Sequence, residues 1–387
     1  MRSLLVSLRF GLSALMAGGL ICIGGLPGAA ADTVRASQWH LRSLAIGTAH
    51  SLSQGDGVTV AVIDTGVDAD HPDLVDAILA GKDFREPSGN DLEVRRDMDR
   101  RGHGTSMTGL IAGRGRGGAG GVLGIAPKAK VLPVRHTWGG LDFKGETPTA
   151  IRWAAGQGAK VISMSFGDHG GIGLELAIRE ARAADVLLVA SAGNRPESRQ
   201  VRFPARYDGV VAVGAVDRSG RRAGFSVTGP QLALTAPGVG ITSTRPRGTG
   251  GGYGTGSGTS DATAIVAGVA ALVRARYPDL SAPEVVHRMT STADDKGPAG
   301  RDEEYGFGIV NPVRALTAEV PPLDPAPDPV GPGRPGDATT QGTQILPGGG
   351  ERAWSQRTLL VDGAGVVVLG LAVGGAVLLT RTRRRRP

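Results

Sequence analysis

The chain has 387 residues and a formal net charge of +7, and two short terminal segments carry this positive charge. Arg2 and Arg9 lie near the N-terminus and five arginines lie within 381–387, so residues 32–380 are neutral overall. The basic isoelectric point therefore does not indicate a nucleic-acid-binding surface. The single cysteine, Cys22, lies in the N-terminal segment, so a disulfide framework and a thiol nucleophile are excluded for the rest of the chain.

The first 31 residues have the pattern of a secretory signal peptide. Basic residues precede an apolar stretch over about 10–26, and Ala29-Ala30-Ala31 provide a cleavage site of small residues. We predict a signal peptide over 1–31 with cleavage after Ala31. The domain that follows, expected over 32–319, would then lie outside the cytoplasmic membrane.

Short runs rich in Val and Ile alternate with helical patterns through this domain. The predicted strands are 58–63, 130–135, 160–166, 186–191 and 209–216. The predicted helices are 103–112, 147–155, 174–184, 259–277 and 282–292. Strands that are apolar on both faces and alternate with helices are typical of a doubly wound, mostly parallel α/β sheet with helices on both faces.

The residues after the domain differ in composition. Residues 320–357 are rich in Pro and Gly, which predicts an extended linker. A run of about 18 uncharged residues follows over 363–380, and we expect a transmembrane helix over 358–380 that crosses the lipid bilayer. The arginine-rich tail over 381–387 predicts a cytoplasmic C-terminus. Together these patterns predict a single-pass protein of the bacterial cell membrane with an extracellular domain.

An aspartate follows the first predicted strand, in Val62-Ile63-Asp64-Thr65-Gly66. Open α/β sheets place their sites at such strand ends. A buried carboxylate there can hold an imidazole in one tautomer and stabilise the imidazolium. Asp-Thr-Gly also occurs in aspartic proteases, but these need a second such carboxylate, and the sequence contains no second Asp-Thr-Gly.

A histidine and a serine each open a predicted helix. His103, flanked by Gly102 and Gly104, supplies a base that titrates near neutrality. Ser260 follows a glycine-rich run, and a helix N-terminus exposes a nucleophile and offers its backbone N–H to an oxyanion. A phosphate-binding P-loop would need Gly-Lys-Ser/Thr after the glycines, which is not present. Asp64, His103 and Ser260 are therefore candidates for a nucleophilic triad.

A further hydrogen-bond donor is expected beside the nucleophile. Asn194 follows the predicted strand 186–191, and from that strand end its amide can point into the site and bind an oxyanion. A lipase or esterase of the α/β-hydrolase type would need a Gly-x-Ser-x-Gly elbow followed by an Asp and a His, and this arrangement does not occur.

Over roughly residues 38–317 the chain resembles the subtilisin-like serine proteases, or subtilases. The stretches that carry the resemblance are 60–68, 102–105, 161–167, 190–194, 203–205, 225–226, 236–238 and 258–260. The resemblance implies a serine endopeptidase with Asp64, His103 and Ser260 as the triad and Asn194 as oxyanion donor. It also implies a groove that pairs a protein or peptide substrate as an added strand. The implied groove residues are Ser165, Phe166, Gly167, Ser191, Ala192 and Gly193.

The resemblance extends to the mycosins, the membrane-anchored subtilases of type VII secretion systems. Residues 38–41 after the signal peptide, residues 306–312 near the domain end, the linker and the single span carry it. It implies a membrane secretion complex as a partner and no cofactor or catalytic metal. Subtilases often bind structural calcium, but no loop of this sequence establishes such a site.

Two residues depart from the subtilase pattern. The family usually has Gly-Thr-Ser-Met-Ala-x-Pro around its nucleophile, whereas here Asp261 follows Ser260 and Ala264 replaces the proline. Ala264 is expected to change little, and Asp261 is the departure that bears on activity. A carboxylate beside the developing oxyanion would slow acylation. This departure supports a second hypothesis, in which a weakly active or inactive subtilase domain is a structural subunit of a membrane secretion complex. The intact set of Asp64, His103 and Ser260 favours the protease.

Overall fold

A parallel β-sheet forms the centre of the fold. The computed structural model describes residues 33–84, 99, 102–116, 120–136 and 146–323. The strands in these ranges are β1 (Thr59–Asp64), β2 (Lys82–Asp83), β3 (Arg114–Arg116), β4 (Gly120–Leu123), β5 (Lys130–Arg135), β6 (Val161–Met164), β7 (Leu187–Ser191), β8 (Val210–Val216), β9 (Leu232–Pro237), β10 (Ile241–Thr244) and β11 (Tyr253–Gly256).

Seven of these strands join in the order β2-β5-β1-β6-β7-β8-β9, and every neighbouring pair is parallel. The chain starts in the middle, at β1, then adds strands on one side and afterwards on the other. The direction of winding therefore changes between β1 and β6, where open α/β sheets leave a crevice at their carboxyl ends. Asp64 is the last residue of β1 and lies at this position.

Helices cover both faces of the sheet. They are α1 (Trp39–Ser43), α2 (Ile46–Leu52), α3 (His103–Ala112), α4 (Glu146–Gly156), α5 (Ile172–Ala183), α6 (Thr259–Arg276), α7 (Ala282–Ser291) and α8 (Pro312–Thr317). Side chains of β1 alternate between the two faces, because successive residues of a strand point in opposite directions. Val60 and Val62 join the core beneath α3 and α6, whereas Ala61 and Ile63 join the core beneath α4 and α5.

Helix α6 is buried almost all round, and Ser260 lies half-buried in its first turn. It packs on α3 and on strands β6 to β9. Its residues are mostly Ala, Val and Ile, since only small or apolar side chains fit a helix without a solvent face. At Gly268 an added Cβ would lie 2.6 Å from Ile125, so glycine allows the chain around Ile125 to approach closely.

The structure confirms the predicted mostly parallel sheet, with small differences in strand ends. The strand predicted over 160–166 ends at Met164. Beyond it the backbone bonds other partners: the Ser165 carbonyl accepts from the Ser260 hydroxyl, and the Phe166 carbonyl accepts from the Ser191 hydroxyl. These residues leave the sheet and contact the start of α6 and the end of β7 instead of extending the strand.

The sequence patterns did not predict β9 or the two antiparallel pairs, β3 with β4 and β10 with β11. Strand β9 (Leu-Ala-Leu-Thr-Ala-Pro) is an edge strand that ends in proline, and proline is tolerated at sheet edges because it lacks an N–H donor. The two hairpins contain many glycines and lack the alternating pattern of a half-buried strand.

The predicted signal peptide over 1–31, transmembrane helix over 358–380 and basic tail lie outside the described residues, as does the linker beyond residue 323. Among the residues that the structure does describe, none of the helices combines the length and the apolar character needed to cross a membrane.

Candidate active site

Two elements bring Asp64 and His103 together. Strand β1 ends at Asp64, and α3 begins at His103. The imidazole Nδ1 lies 2.7 Å from one Asp64 carboxylate oxygen and 2.9 Å from the other. The carboxylate also accepts the Thr65 backbone N–H at 2.7 Å. A buried carboxylate in this position assigns the proton to Nδ1 and leaves the Nε2 lone pair able to accept a proton.

A second buried carboxylate, Asp99, positions the start of helix α3. It accepts hydrogen bonds from the backbone N–H groups of Gly102 at 2.8 Å and Thr105 at 2.7 Å. The Thr65 hydroxyl donates to it at 2.6 Å and accepts from the N–H of Gly104 at 3.0 Å. These contacts connect the end of β1 to the first turn of α3, so they set the approach of the imidazole to Asp64.

The surroundings of His103 favour its protonated form. Burial alone lowers the pKa of the imidazole, since its side chain is only 18% exposed. The Asp64 carboxylate raises the pKa through its charge and hydrogen bond, and the Asp261 and Asp99 carboxylates raise it further. The net direction is upward, so the imidazolium that forms when His103 takes a proton is stabilised.

Ser260 lies in the first turn of α6, beside the end of β6. Its hydroxyl donates to the backbone carbonyl of Ser165 at 3.0 Å. The Ser165 hydroxyl donates in return to the Ser260 carbonyl at 3.1 Å. This reciprocal pair holds the helix start against the segment that follows β6, and the serine hydroxyl is half-buried at the carboxyl edge of the sheet.

The orientation of the Asn194 amide is determined by Thr259. The Asn194 side-chain oxygen accepts the Thr259 backbone N–H at 3.0 Å and the Thr259 hydroxyl at 3.1 Å. Because the amide oxygen faces Thr259, the NH₂ group of Asn194 points away from Thr259. A Cβ placed on Gly258 would lie 3.5 Å from this nitrogen and 3.6 Å from the Ser260 backbone nitrogen. Both nitrogens therefore lie close to Gly258, next to the start of α6.

The Asp261 carboxylate lies at the same place. One of its oxygens is 3.6 Å from the same hypothetical Gly258 Cβ. The residue is only 5% exposed, and burial raises the pKa of its carboxyl to about 6, although the positive charges of His103 and Arg245 oppose the rise. The Arg245 guanidinium donates to the Gly102 carbonyl at 3.3 Å and is close to Gly256, as is the Asp261 carboxylate.

The six residues predicted for the groove lie on two neighbouring segments. Ser165, Phe166 and Gly167 follow β6, and Ser191, Ala192 and Gly193 end and follow β7. Because β6 and β7 are adjacent parallel strands, both segments leave the sheet at the same edge as Ser260 and Asn194. The structure therefore places all ten predicted site residues at one edge.

A match to the Subtilase family model covers residues 55–308, which include all of these residues. The chain belongs to the subtilase family. A thermostable alkaline protease of Halalkalibacterium halodurans is 43% identical over 270 residues, which are 67% of this chain and 68% of the relative. This subtilase is a serine endopeptidase whose substrates are proteins or peptides.

Solved structures of mycosins are similar to this subtilase over most of their length. MycP1 from Mycobacterium smegmatis is 30% identical with a TM-score of 0.63, and the match covers 76% of this chain and 88% of MycP1. The MycP3 protease from the type VII (ESX-3) secretion system is 32% identical with a TM-score of 0.62 over 73% of this chain and 88% of MycP3.

Two residues that position the site, Asp99 and Arg245, have no recognisable signal in the sequence. Asp99 lies within a charged run in which no pattern distinguishes one acid from another. Arg245 precedes a proline and a glycine-rich loop, and this pattern is typical of an ordinary turn. Their roles depend on contacts between separate segments: Asp99 joins the start of α3 to Thr65, and Arg245 bonds the carbonyl of Gly102, which is 143 residues away. Among the described residues, no group of three or more His, Cys, Asp or Glu side chains is arranged to hold a metal ion.

We expect Asp261→Asn to stabilise this subtilase above about pH 6. Because the pKa of Asp261 is raised from 3.8 to about 6, the ionised form is disfavoured in the folded protein. The resulting loss of folding free energy is absent below pH 3.8 and complete above pH 6, where it amounts to about 3 kcal/mol. Denaturant unfolding at pH 8 should show the gain, and the gain should disappear near pH 4. An equal gain at both pH values would contradict this account of Asp261.

The same variant should also change catalysis. Removing a negative charge beside the two N–H donors should raise kcat at pH 8 by about tenfold with little change in KM, since the carboxylate opposes charge that develops only in the transition state. The acid limb of the kcat/KM profile should move to lower pH, because Asp261 raises the pKa of His103. Asp279→Asn removes an equal charge from an exposed site and should leave the profile unchanged.

Proposed function

We propose that this protein is a membrane-anchored, extracellular serine endopeptidase that cleaves peptide bonds with Asp64, His103 and Ser260. The observation that carries the proposal is the contact of 2.7 Å between His103 Nδ1 and a buried Asp64 oxygen, at the edge of the sheet where α6 presents Ser260. A nucleophile, a base and a group that orients the base are the parts of a catalytic triad.

The mechanism begins when the Ser260 hydroxyl turns from the Ser165 carbonyl to His103 Nε2; such catalytic hydrogen bonds often tighten only in the substrate complex. His103 takes the hydroxyl proton while Ser260 Oγ bonds to the scissile carbonyl carbon. The resulting imidazolium returns this proton to the departing amine as the peptide bond breaks. Water then attacks the acyl-enzyme by the same path and releases the second product, and Asp64 remains ionised throughout.

Charge on the tetrahedral intermediate develops on the former carbonyl oxygen. The Asn194 NH₂ group and the Ser260 backbone N–H both lie close to Gly258 and would bind this oxyanion. The N-terminus of α6 adds the positive end of its dipole. These donors are oriented before the reaction, because Thr259 holds the Asn194 oxygen.

Sequence patterns support the membrane anchor. A signal peptide over 1–31 and an apolar run before the arginine-rich tail predict a single span with the protease domain outside. Association with a type VII secretion system is supported by the similarity to the MycP3 protease, whose structure is described as part of such a system. The second hypothesis, a weakly active or inactive structural subunit, is supported by the buried Asp261 carboxylate beside the oxyanion donors.

One experiment on intact spheroplasts tests catalysis and topology together. A membrane-impermeant fluorophosphonate probe should label the protein, and peptide mapping should place the label on Ser260. Protease added from outside should digest the domain but spare an epitope tag placed after Pro387. Permeabilised cells and a Ser260→Ala variant provide the controls.

Each contrary outcome removes a different part of the proposal. Labelling that requires permeabilisation, with an accessible C-terminal tag, would reverse the topology. If there is no labelling in either preparation, the protease mechanism fails for this chain, and the structural-subunit hypothesis replaces it.

A further inference from the structure

A third segment crosses beneath the two segments of the groove. The N–H of Arg202 donates to the Ala192 carbonyl at 3.2 Å, and the carbonyl of Phe203 accepts the N–H of Asp168 at 2.6 Å. Residues 202 and 203 therefore touch both the chain that follows β6 and the chain that follows β7. They form the base of the space between these two segments.

Glycines form the two walls of this space. Gly167 lies two residues after Ser165, whose carbonyl is 3.0 Å from the Ser260 hydroxyl, and Gly193 immediately precedes Asn194. A substrate carbonyl held between Ser260 and Asn194 belongs to the residue on the amino side of the scissile bond, the P1 residue. The P1 side chain leaves the α-carbon bonded to that carbonyl, so we infer that it enters the space between Gly167 and Gly193.

The side chain of Arg202 already lies in this space. A Cβ placed on Gly167 would be 2.6 Å from both Cδ and Nε of Arg202, and one placed on Gly193 would be 3.6 Å from its Cγ. The arginine stem thus passes between the two glycine walls. The half-buried side chain remains accessible to a substrate that enters the groove.

The Arg202 guanidinium has no ion pair or hydrogen bond of its own within the ranges that the structure describes. The nearby Asp168 carboxylate is used elsewhere, since it accepts the Thr147 hydroxyl at 2.6 Å and the His169 N–H at 2.5 Å. By contrast, Arg206 in the same segment bonds Gln200 and stacks on Phe203. A half-buried guanidinium without a carboxylate partner is a strong binding site for one.

We propose that Arg202 determines cleavage specificity and that this protease prefers an acidic P1 residue, whose carboxylate pairs with the Arg202 guanidinium. This inference rests on the proposed roles of Ser260 and Asn194, because they define where the P1 side chain enters.

The test uses the purified full-length protein in detergent, active-site titrated with the fluorophosphonate probe, and a series of succinyl-Ala-Ala-Pro-Xaa p-nitroanilides. Xaa is Glu, Gln, Leu, Ala or Lys, and the assay is run at pH 8. We expect kcat/KM for Glu to exceed that for Gln by about tenfold to a hundredfold, the range for hydrogen bonds to a charged group. Glu and Gln have nearly the same shape, so the difference measures charge recognition.

Substitutions at Arg202 should change the order of preference. Arg202→Gln should abolish the advantage of Glu over Gln, Arg202→Lys should restore part of it, and Arg202→Glu should favour Lys. Arg206→Gln removes a guanidinium from the same segment and should leave the preference unchanged. Labelling by the probe tests Ser260 and does not depend on the P1 residue. An enzyme that is labelled but does not distinguish Glu from Gln would therefore contradict this inference and leave the proposed mechanism intact.

Two results would overturn the inference. Equal kcat/KM for Glu and Gln in the parent enzyme would show that the guanidinium does not bind the P1 side chain. The second result is a parent enzyme that prefers Ala to all larger P1 residues, together with an Arg202→Gln variant that also accepts Leu. It would show that Arg202 only fills the space.

Discussion

Replacing Ser260 with alanine is expected to lower kcat by about 10⁶-fold, the loss known for the equivalent change in subtilisin, a relative in the same family. The variant lacks the atom that forms the acyl-enzyme, while Asp64, His103 and Asn194 remain in place. Residual turnover would come from the oxyanion donors and substrate binding alone. Steady-state kinetics on a peptide amide substrate, with burst analysis of the parent enzyme, measures this loss.

A neighbouring serine provides the matched control. Ser257 lies in the same glycine-rich approach, is exposed and accepts the Gly240 N–H through its hydroxyl. Ser257→Ala should keep nearly full activity and full probe labelling. If Ser260→Ala retained more than a few per cent of the parent kcat, the nucleophile would have to be another residue.

Replacing Asn194 with alanine should lower kcat by about 10²–10³-fold and change KM little, which again is the magnitude known from subtilisin. The amide NH₂ group contributes mainly when charge appears on the oxyanion, so its loss affects the transition state more than the bound substrate. Asn194→Asp should cost at least as much, since it replaces the donor with a negative charge.

The contacts of Thr259 provide a further check on Asn194. Thr259→Val removes the hydroxyl that bonds the Asn194 oxygen but leaves the backbone N–H bond at 3.0 Å. We expect an intermediate loss of kcat, because the amide is held less firmly. A rise in KM without a fall in kcat for Asn194→Ala would indicate a substrate-binding role and contradict the oxyanion assignment.

Much of the fold was predictable from local sequence patterns. The helix over 103–112 was predicted at the ends observed, and the helix that carries Ser260 within one residue. Buried parallel strands and their helices have strong periodic signals, since their neighbours in space are apolar on every side. Edge strand β9 and the short hairpins have no such signal and depend on the elements beside them.

For the candidate site, the sequence alone determined which residue types stand at strand ends and helix starts: Asp64, His103, Asn194 and Ser260. Tertiary structure decided their geometry. Asp64 and His103 are 39 residues apart in sequence, and Asn194 is 65 residues from the threonine that orients it. The environments of Asp99, Asp261 and Arg202 likewise depend on segments distant along the chain. Periodicity records whether a residue is buried, but the direction of a carboxylate, amide or guanidinium depends on hydrogen bonds that form only when those segments meet in the folded protein.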